Sequence, residues 1–542
     1  MSENFNWWQE GVIYQIYPRS FSDSNGDGLG DLPGIAANLD YLAGLGVDAI
    51  WLSPFFPTPD ADFGYDVSNY VDVDPRFGTL KDFDDLLEAA HQRGIRVILD
   101  LVLNHTSHQH SWFIESASSR ENPKRDWYIW RDAAAGGGVP TNWQAAFGGS
   151  AWEFDSHTGQ YYLHSFLREQ PDVNWRSPAL REAMLNVFRF WLDRGVDGFR
   201  LDVFNAYFKD AQFRNNPKKF GLRSFDRQLH VYDMNQPELI DFLRELRRLL
   251  DSYPGRYAVG ETYVTALKET MQFVGDERLH AVFTFDYFNN LSYPWNAAWI
   301  SERTNRRDIA FENADAWPTT VLGNHDQPRP ASRYCTSEND DRPAFIAMAL
   351  LMTVRGTPFL YYGDEIGMRD IQLSRNEILD PPGKKYWPVY KGRDGCRSPM
   401  QWSDENVAGF STGVPWLKIH PNYKNRNVAK QQAEGRSLLN FTRSLTGLRR
   451  RYKALRKGDF RVFFRSDTGV LAYERRFENQ RILVYLNFTG ATRVASFVRD
   501  SNPADAVMLL SSVGRKEFYT SYNQFVLNPF EVLIVEVRPG LE

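Results

Sequence analysis

Gly195-Val196-Asp197-Gly198-Phe199-Arg200-Leu201-Asp202 is a glycine stop, a short buried strand and a terminal carboxylate. Upstream, Ser177-Pro178 opens a helix with Leu180, Met184, Val187, Phe188, Trp191 and Leu192 on one side. Proline suits a first helical turn, and that spacing gives one apolar face. Helix, glycine, strand and polar strand end therefore form one unit.

The unit recurs in both directions. Thr79 caps a helix carrying Phe83, Leu86, Leu87 and Ala90, before Gly94 and the strand Ile95 to Leu99. Leu239, Phe242, Leu243, Leu246 and Leu250 lead through Pro254-Gly255 into Tyr257-Ala258-Val259. Ile35, Leu39 and Leu42 precede Gly46 and Val47 to Leu52, and Phe345 leads through Gly356 to Phe359-Leu360-Tyr361-Tyr362. Val12 to Tyr17 supplies a first strand, Phe283 to Tyr287 a sixth and Thr320 to Leu322 a seventh. Strands that are apolar on both faces and alternate with helices make a parallel sheet, and eight of them predict a closed (β/α)8 barrel. A doubly wound open sheet is disfavoured, because Gly26-Asp27-Gly28-Leu29-Gly30 lacks nucleotide-loop spacing.

Two regions break the rhythm. Residues 105–174 hold Gly, Pro, Trp and short aromatic runs, which predicts a subdomain inserted after the third strand. From about Asp459 the period becomes two: Val470 to Phe477, Ile482 to Phe488 and Val532 to Val537 read as strands. Residues 1–104 and 175–458 thus form the barrel, and 459–542 a C-terminal β-sandwich domain.

The 542 residues exceed one compact core, and 42% apolar with 24% charged residues is ordinary for a globular protein. A net charge of −5 argues against a nucleic-acid partner. Cys335 and Cys396 are the only cysteines, which excludes a disulfide framework and fits a reducing compartment. With no signal-like start and no membrane-spanning apolar stretch, the expectation is a cytoplasmic protein without membrane partners, as monomer or homodimer. Aromatics at 15% suit either sugar stacking or large cores.

Polar residues follow the buried strands. Asp100, Asn104 and His105 end one, Arg200 and Asp202 the next, then Glu261, and later His325 and Asp326. A barrel gathers such strand ends on one face, where active sites are built. One carboxylate there could merely cap a helix; three beside Arg and His are poorly explained that way. A carboxylate pair is the tool of glycoside hydrolysis, one ionised to attack and one protonated for the leaving oxygen. Arg200, two residues before Asp202, shares its strand face and favours its ionised form.

Gly198-Phe199-Arg200-Leu201-Asp202, Gly260-Glu261, Asn324-His325-Asp326 and Asp100-Leu101-Val102-Leu103-Asn104-His105 resemble the four core motifs of the α-amylase superfamily of glycoside hydrolases. Gln170-Pro171-Asp172-Val173-Asn174 is similar to its further motif near the end of the inserted domain. Ala61-Asp62-Phe63-Gly64-Tyr65-Asp66, Tyr361-Tyr362-Gly363-Asp364-Glu365-Ile366-Gly367 and Arg397-Ser398-Pro399-Met400-Gln401-Trp402 resemble its bacterial α-glucosidase and oligo-1,6-glucosidase branch. The resemblance implies Asp202 as nucleophile and Glu261 as acid/base, about 5–5.5 Å apart as retention requires. It implies Asp326, His325 and His105 on the 2- and 3-hydroxyls, and Asp62 paired with Arg397 on the 4-hydroxyl at a closed end that accepts only a chain end. Tyr65, Phe147 and Phe166 would stack on glucose; for the two phenylalanines, core packing is the alternative. Val203 implies cleavage of isomaltose beside maltose, although a β-branched residue ending a strand needs no functional reason.

The implied substrates are small oligosaccharides. A sucrose isomerase, a trehalulose-forming enzyme or a glucosyltransferase would keep the same trio and differ in acceptor. A non-catalytic, transporter-associated relative would carry a membrane span and tend to lack the trio.

Asp23-Ser24-Asn25-Gly26-Asp27-Gly28-Leu29-Gly30-Asp31 resembles the start of an EF-hand loop, with Gly34 where the bidentate Glu should stand. Resemblance implies a structural Ca2+ (Mg2+ as the other candidate) held by Asp23, Asn25, Asp27, Asp31 and the Leu29 carbonyl. A metal-free Asx-turn loop is the alternative. His105, His108 and His110 suggest zinc only weakly, for want of a Glu at metalloprotease spacing.

Overall fold

The computed structural model describes residues 6–262, 266–287, 295–465, 469–498, 506–517 and 523–538. The start read above for a signal, Met1 to Phe5, lies outside the described residues.

Eight parallel strands make the central sheet: β1 Ile13–Ile16, β2 Ala49–Leu52, β3 Arg96–Leu101, β4 Gly198–Leu201, β5 Tyr257–Gly260, β6 Ala281–Val282, β7 Thr319–Val321 and β8 Thr357–Tyr361. Their order is β7-β8-β1-β2-β3-β4-β5-β6. Alternation along each strand separates two cores. Ile13, Trp51, Ile98, Val259, Ala281, Val321 and Phe359 fill the interior. Tyr14, Ile50, Val97, Leu99 and Phe199 face the outer helices.

The helices follow the expected apolar faces. Pro178–Asp193 buries Leu180, Met184, Val187, Phe188, Trp191 and Leu192. Leu80–Gln92 starts with a reciprocal Thr79/Asp82 capping box, and Glu238–Asp251 buries Leu239, Phe242, Leu243, Leu246 and Leu250.

The sixth strand differs from expectation. It is Ala281–Val282, not Phe283 to Tyr287, because ladder partners exist only at Val259↔Ala281 and Gly260↔Val282. Phe283 donates one further bond to the Gly260 carbonyl (2.9 Å) and then fills the barrel interior. Between β6 and β7, the Thr319 hydroxyl bonds the Val282 carbonyl at 3.0 Å and bridges the seam.

Between β3 and β4 stand the helix Ser111–Ser118 and a three-stranded antiparallel sheet of Trp130–Arg131, Gln160–Leu163 and Trp152–Asp155. A small core of Ile129, Trp143, Ala151, Trp152 and Leu163 supports it.

The C-terminal region is a five-stranded antiparallel sheet facing a two-stranded one. Ala472, Leu483, Tyr485 and Val535 pack toward Ala495, Phe525 and Leu527. The opposite face, with Leu471, Tyr473, Ile482 and Val484, joins the barrel core. Arg475 crosses this junction and donates to the carbonyls of Thr353 (2.7 Å), Leu455 (3.1 Å) and Gly458 (2.8 Å). Arg449 donates to Met352 O at 2.9 Å. Both cations therefore meet the C-terminal carbonyls of helix Arg342–Thr353, where positive charge is favoured. Among the described residues no helix is long and apolar enough to cross a membrane. Cys335 and Cys396 are free and buried.

Candidate active site

Register brings the first site residues together. Asp100 on β3 pairs with Arg200 on β4, and Arg200 with Val259 on β5. Asp202 and Glu261 extend these strands, bonding through their amides to Leu101 O (3.0 Å) and Leu201 O (2.9 Å). Alternation turns Asp100, Arg200 and Asp202 to the same side. Fully buried Arg200 then reaches three carboxylates: Nη1 bonds Asp100 (2.6 Å) and Asp202 (2.8 Å), and Nη2 bonds Glu261. Burial pushes Asp202 well above the ordinary carboxylate range and also raises Glu261, with Arg200 opposing both shifts. Three carboxylates on one guanidinium form a cluster that resists losing its last proton.

Above this cluster lies a polar chain. Gln15 donates to His325 Nδ1 (2.7 Å), leaving the His325 Nε2 hydrogen for the Tyr65 hydroxyl (2.5 Å), which donates to Asp100 (3.1 Å). Tyr65 also stacks on His325 with ring centroids 5.3 Å apart. Burial drops His325 to about 3 and His105 to about 4, so both rings are neutral at pH 7. His105 Nε2 bonds the Tyr65 carbonyl at 2.9 Å.

The expected Asp62–Arg397 pair is not what the chain forms. Asp62 bonds Arg393 at 2.6 Å, and Arg397 bonds Asp326 at 2.9 Å. Arg393 also binds Asp380 (2.6 Å) and approaches Asp326 (3.4 Å). The reason is reach: Arg397 Nε is committed to the His325 carbonyl (2.7 Å), which aims its fork at Asp326. Arg393 follows no strand directly, and its only signal was its place just before Arg397.

A cavity of about 460 Å³ collects most of the predicted residues. Asp62, Tyr65, His105, Phe147, Phe166, Asp202, Asp326 and Arg393 line it. Arg200, His325 and Arg397 stand behind that lining, and Glu261 faces Arg200. Phe147 and Phe166 meet edge to face at 5.5 Å, and Arg393 lies over Phe147. Arg223, Phe225, Met234 and Tyr390 complete the outer wall. They were not legible in the sequence, since they sit on irregular segments without periodic pattern. Val203 lines the cavity too, in the left-handed region at φ 38°. A β-branched residue is strained there.

The Asp23–Asp31 loop is a ladder of Asx turns. Asp23 accepts from the amides of Asn25 (3.0 Å), Gly26 (2.7 Å) and Gly28 (2.8 Å) and from the Ser411 hydroxyl (2.5 Å). Asn25 accepts from Asp27 N and Asp27 from Leu29 N, both at 2.8 Å. Asp31 caps the following helix through Gly34 N at 2.6 Å. Gly28 is required twice over: its φ is 94°, and a Cβ would meet the Val414 carbonyl at 1.9 Å. The oxygen donors suit a hard cation by type, but among the described residues no group of three acidic, His or Cys side chains is arranged to hold a metal ion. His108 bonds Glu169 O and His110 bonds Trp112 N, so with His105 on Tyr65 O the three rings are engaged separately.

A barrel with paired carboxylates at its strand ends, beside a cavity lined by charge pairs, has the makings of an enzyme of the glycoside hydrolase class. Residues 15–458 match the alpha amylase catalytic domain, and the chain belongs to that family. It is 43% identical over 502 residues to a probable alpha-glucosidase of Rhizobium meliloti (strain 1021), covering 89% of this chain and 90% of that protein. It is 39% identical over 565 residues to an oligo-1,6-glucosidase of Parageobacillus thermoglucosidasius, covering 98% and 99%. Among solved structures, an alpha-glucosyl transfer enzyme superposes with a TM-score of 0.92 at 40% identity, over 99% of this chain and 100% of that one.

The Arg393 cluster predicts a pH signature. Burial would raise Asp380, yet Arg393 and Arg397 hold it below the ordinary range. Its stabilisation is therefore present above the unfolded Asp value of about 3.9 and lost on acidification. Burial already raises Asp62 against the pull of Arg393; Arg393→Met leaves both carboxyls buried without that cation, so Asp62 rises further and Asp380 moves above its unfolded value. The sign reverses: the variant loses stability as pH rises. Thermal unfolding should show a deficit of about 3–5 kcal/mol near neutrality that shrinks toward pH 4. An equal deficit at both pH values would refute this electrostatic account.

Proposed function

We propose that the protein is an exo-acting retaining α-glucosidase that removes terminal α-linked glucose from short oligosaccharides, with maltose, isomaltose and sucrose as candidate substrates. The observation that carries this reading is the Arg200 fork, which bonds both Asp202, on the cavity lining, and Glu261 at the end of the neighbouring strand. Sharing one guanidinium keeps the two carboxyls near each other, as a retaining pair about 5–5.5 Å apart requires.

The chemistry follows from the placement. Burial raises both carboxyls and Arg200 offsets it for both, so the shared proton resides on Glu261 in the reacting state and Asp202, ionised, attacks C1 of the terminal glucose from below. Glu261 gives that proton to the departing glycosidic oxygen, and the C1–O bond breaks as the Asp202 ester forms. Glu261, now a base, takes a proton from water, which attacks C1 and releases Asp202. Two inversions give net retention. In the state described Glu261 faces Arg200, so proton delivery requires its carboxyl to turn toward the cavity, and Arg200 keeps its other two partners. Asp326, neutral His325 and His105 are placed to hold glucose hydroxyls. The Asp62–Arg393 pair blocks the far end, which favours chain ends over mid-chain cleavage.

Glucosyl transfer is the second reading, because a sugar in place of water completes the same second step. The 40% identical glucosyl transfer enzyme supports it. The two free, buried thiols support a cytoplasmic, reducing location. The Asp23–Asp31 loop we read as a site for Ca2+, or Mg2+, on the chemistry of its alternating oxygen donors.

Asp202→Asn should abolish turnover with the fold intact. Because burial raises Glu261, the alkaline limb of kcat/KM should lie above the free Glu value of about 4.3 and vanish in Glu261→Gln measured on an activated aryl glucoside. NMR should show the α-anomer released first; initial β-product would sink the assignment.

Val203→Thr should raise the maltose-to-isomaltose ratio of kcat/KM several-fold, about the worth of one hydrogen bond. An unchanged ratio removes Val203 from linkage selection.

Metal removal by a chelator should lower the melting temperature, since a cation at a hundredfold excess over its Kd stabilises by about 2.7 kcal/mol. An unaltered melting temperature would establish the loop as a metal-free turn.

A further inference from the structure

Lys209 is 1% exposed, and its charge lies in the interior beside the site. Its ammonium has three donors and three partners: Asp172 Oδ2 at 2.9 Å, Asn104 Oδ1 at 3.0 Å and the Ala206 carbonyl. Asp172 is itself fully buried. It accepts from the Ser165 amide (2.8 Å) and hydroxyl (2.5 Å) and from Asn104 Nδ2 (3.2 Å). Burial opposes its charge, and Lys209 with His105 and Ser165 keeps it below the ordinary range.

The partners belong to three separate walls of the cavity. Ser165 and Phe166 come from the inserted region, His105 adjoins Asn104 beyond β3, and Val203 and Ala206 follow β4. The third wall is the strained one. Val203 sits at φ 38°, a costly conformation for a β-branched residue, and it persists only where its surroundings over-determine it. The turn closes on itself through Ala206 N to Val203 O (2.9 Å), and Lys209 grips the far end of that turn at Ala206 O. Stability alone is a weak reason for a buried ion pair, since apolar replacement is often neutral or better. Geometry is the stronger one.

We propose that Lys209 is a positioning residue: it clamps the Val203–Ala206 turn against Asp172 and Asn104 and thereby fixes the wall on which the leaving sugar is oriented. The proposal rests on the glucosidase reading above. Lys209 touches neither carboxylate of the catalytic pair, so its effect acts through the turn. It should be felt where the leaving group must be aligned for protonation, and little where the leaving group departs unaided.

The test compares Lys209→Met, Asp172→Asn and the double variant with the wild type, on maltose and isomaltose and on an aryl α-glucoside with a good leaving group. Lys209→Gln keeps a donor for Ala206 O. Thermal unfolding establishes the folded fraction of each. Lys209→Met should lose about tenfold or more in disaccharide kcat/KM, through kcat, while the aryl glucoside changes by less than about threefold. The double variant should lose no more than the worse single one, because both break one clamp. Lys209→Gln should recover part of the loss. Equal losses on both substrate types would mark a merely structural lysine and overturn the proposal, as would an unchanged disaccharide rate in folded Lys209→Met. If Lys209→Met does not fold, Lys209→Gln and Asp172→Asn carry the same comparison. A wild type that cleaves no α-glucoside would overturn the glucosidase reading and this assignment with it, whereas losses confined to the variants judge the assignment alone.

Discussion

A guanidinium with no exposed surface, Arg200, stands between Asp100, Asp202 and Glu261, and the upper half of the barrel is organised around it. Each of these charges alone would be costly to bury. Together they are tolerable, since every carboxylate accepts a charge-assisted bond from one rigid fork. The low dielectric that makes burial costly also strengthens the fork's hold on whichever carboxylate is ionised. Trp51 and Tyr65 flank the cation and keep solvent from it. The proton affinity of the three carboxyls depends on this balance between desolvation and one shared positive charge.

The same logic is repeated at the closed end of the cavity with different parts. Arg393 gathers Asp62 and Asp380 and approaches Asp326, while Arg397 bonds Asp326 from the other side. These groups come from after β2, after β7 and after β8. A third buried pair, Lys209 with Asp172, joins the inserted region to the turn behind Asp202. The cavity is thus framed by three charge clusters, each spanning segments remote in sequence. Apart from the turn of Glu261 toward the cavity, charges fixed in this way are already in place as charge develops during reaction.

The barrel was legible because its signals are local. Leu180, Met184, Val187, Phe188, Trp191 and Leu192 mark a helix by spacing alone, and all are buried as that spacing requires. Polar residues ending apolar strands were legible for the same reason, which is why Asp100, Arg200, Asp202 and Glu261 could be named together. The sixth strand was misplaced because Phe283-Thr284-Phe285-Asp286-Tyr287 alternates as a strand should, whereas pairing with β5 ends at Val282. Aromatic alternation reports a half-buried extended segment and not its hydrogen-bond partners.

Periodicity and motif order in the sequence by themselves determined the eight-unit barrel, the inserted region, the C-terminal β region and the strand-end residues of the site. They could do so because period, glycine stops and strand-end polarity depend on near neighbours. Only the tertiary structure decided who pairs with whom: Arg393 and not Arg397 with Asp62, Lys209 with Asp172, and Arg223, Phe225, Met234 and Tyr390 as the outer wall. Long charged side chains choose partners by the reach and direction of their backbone sites in space. That geometry arises from the closure of the barrel and the packing of its loops, and it leaves no periodic trace along the chain.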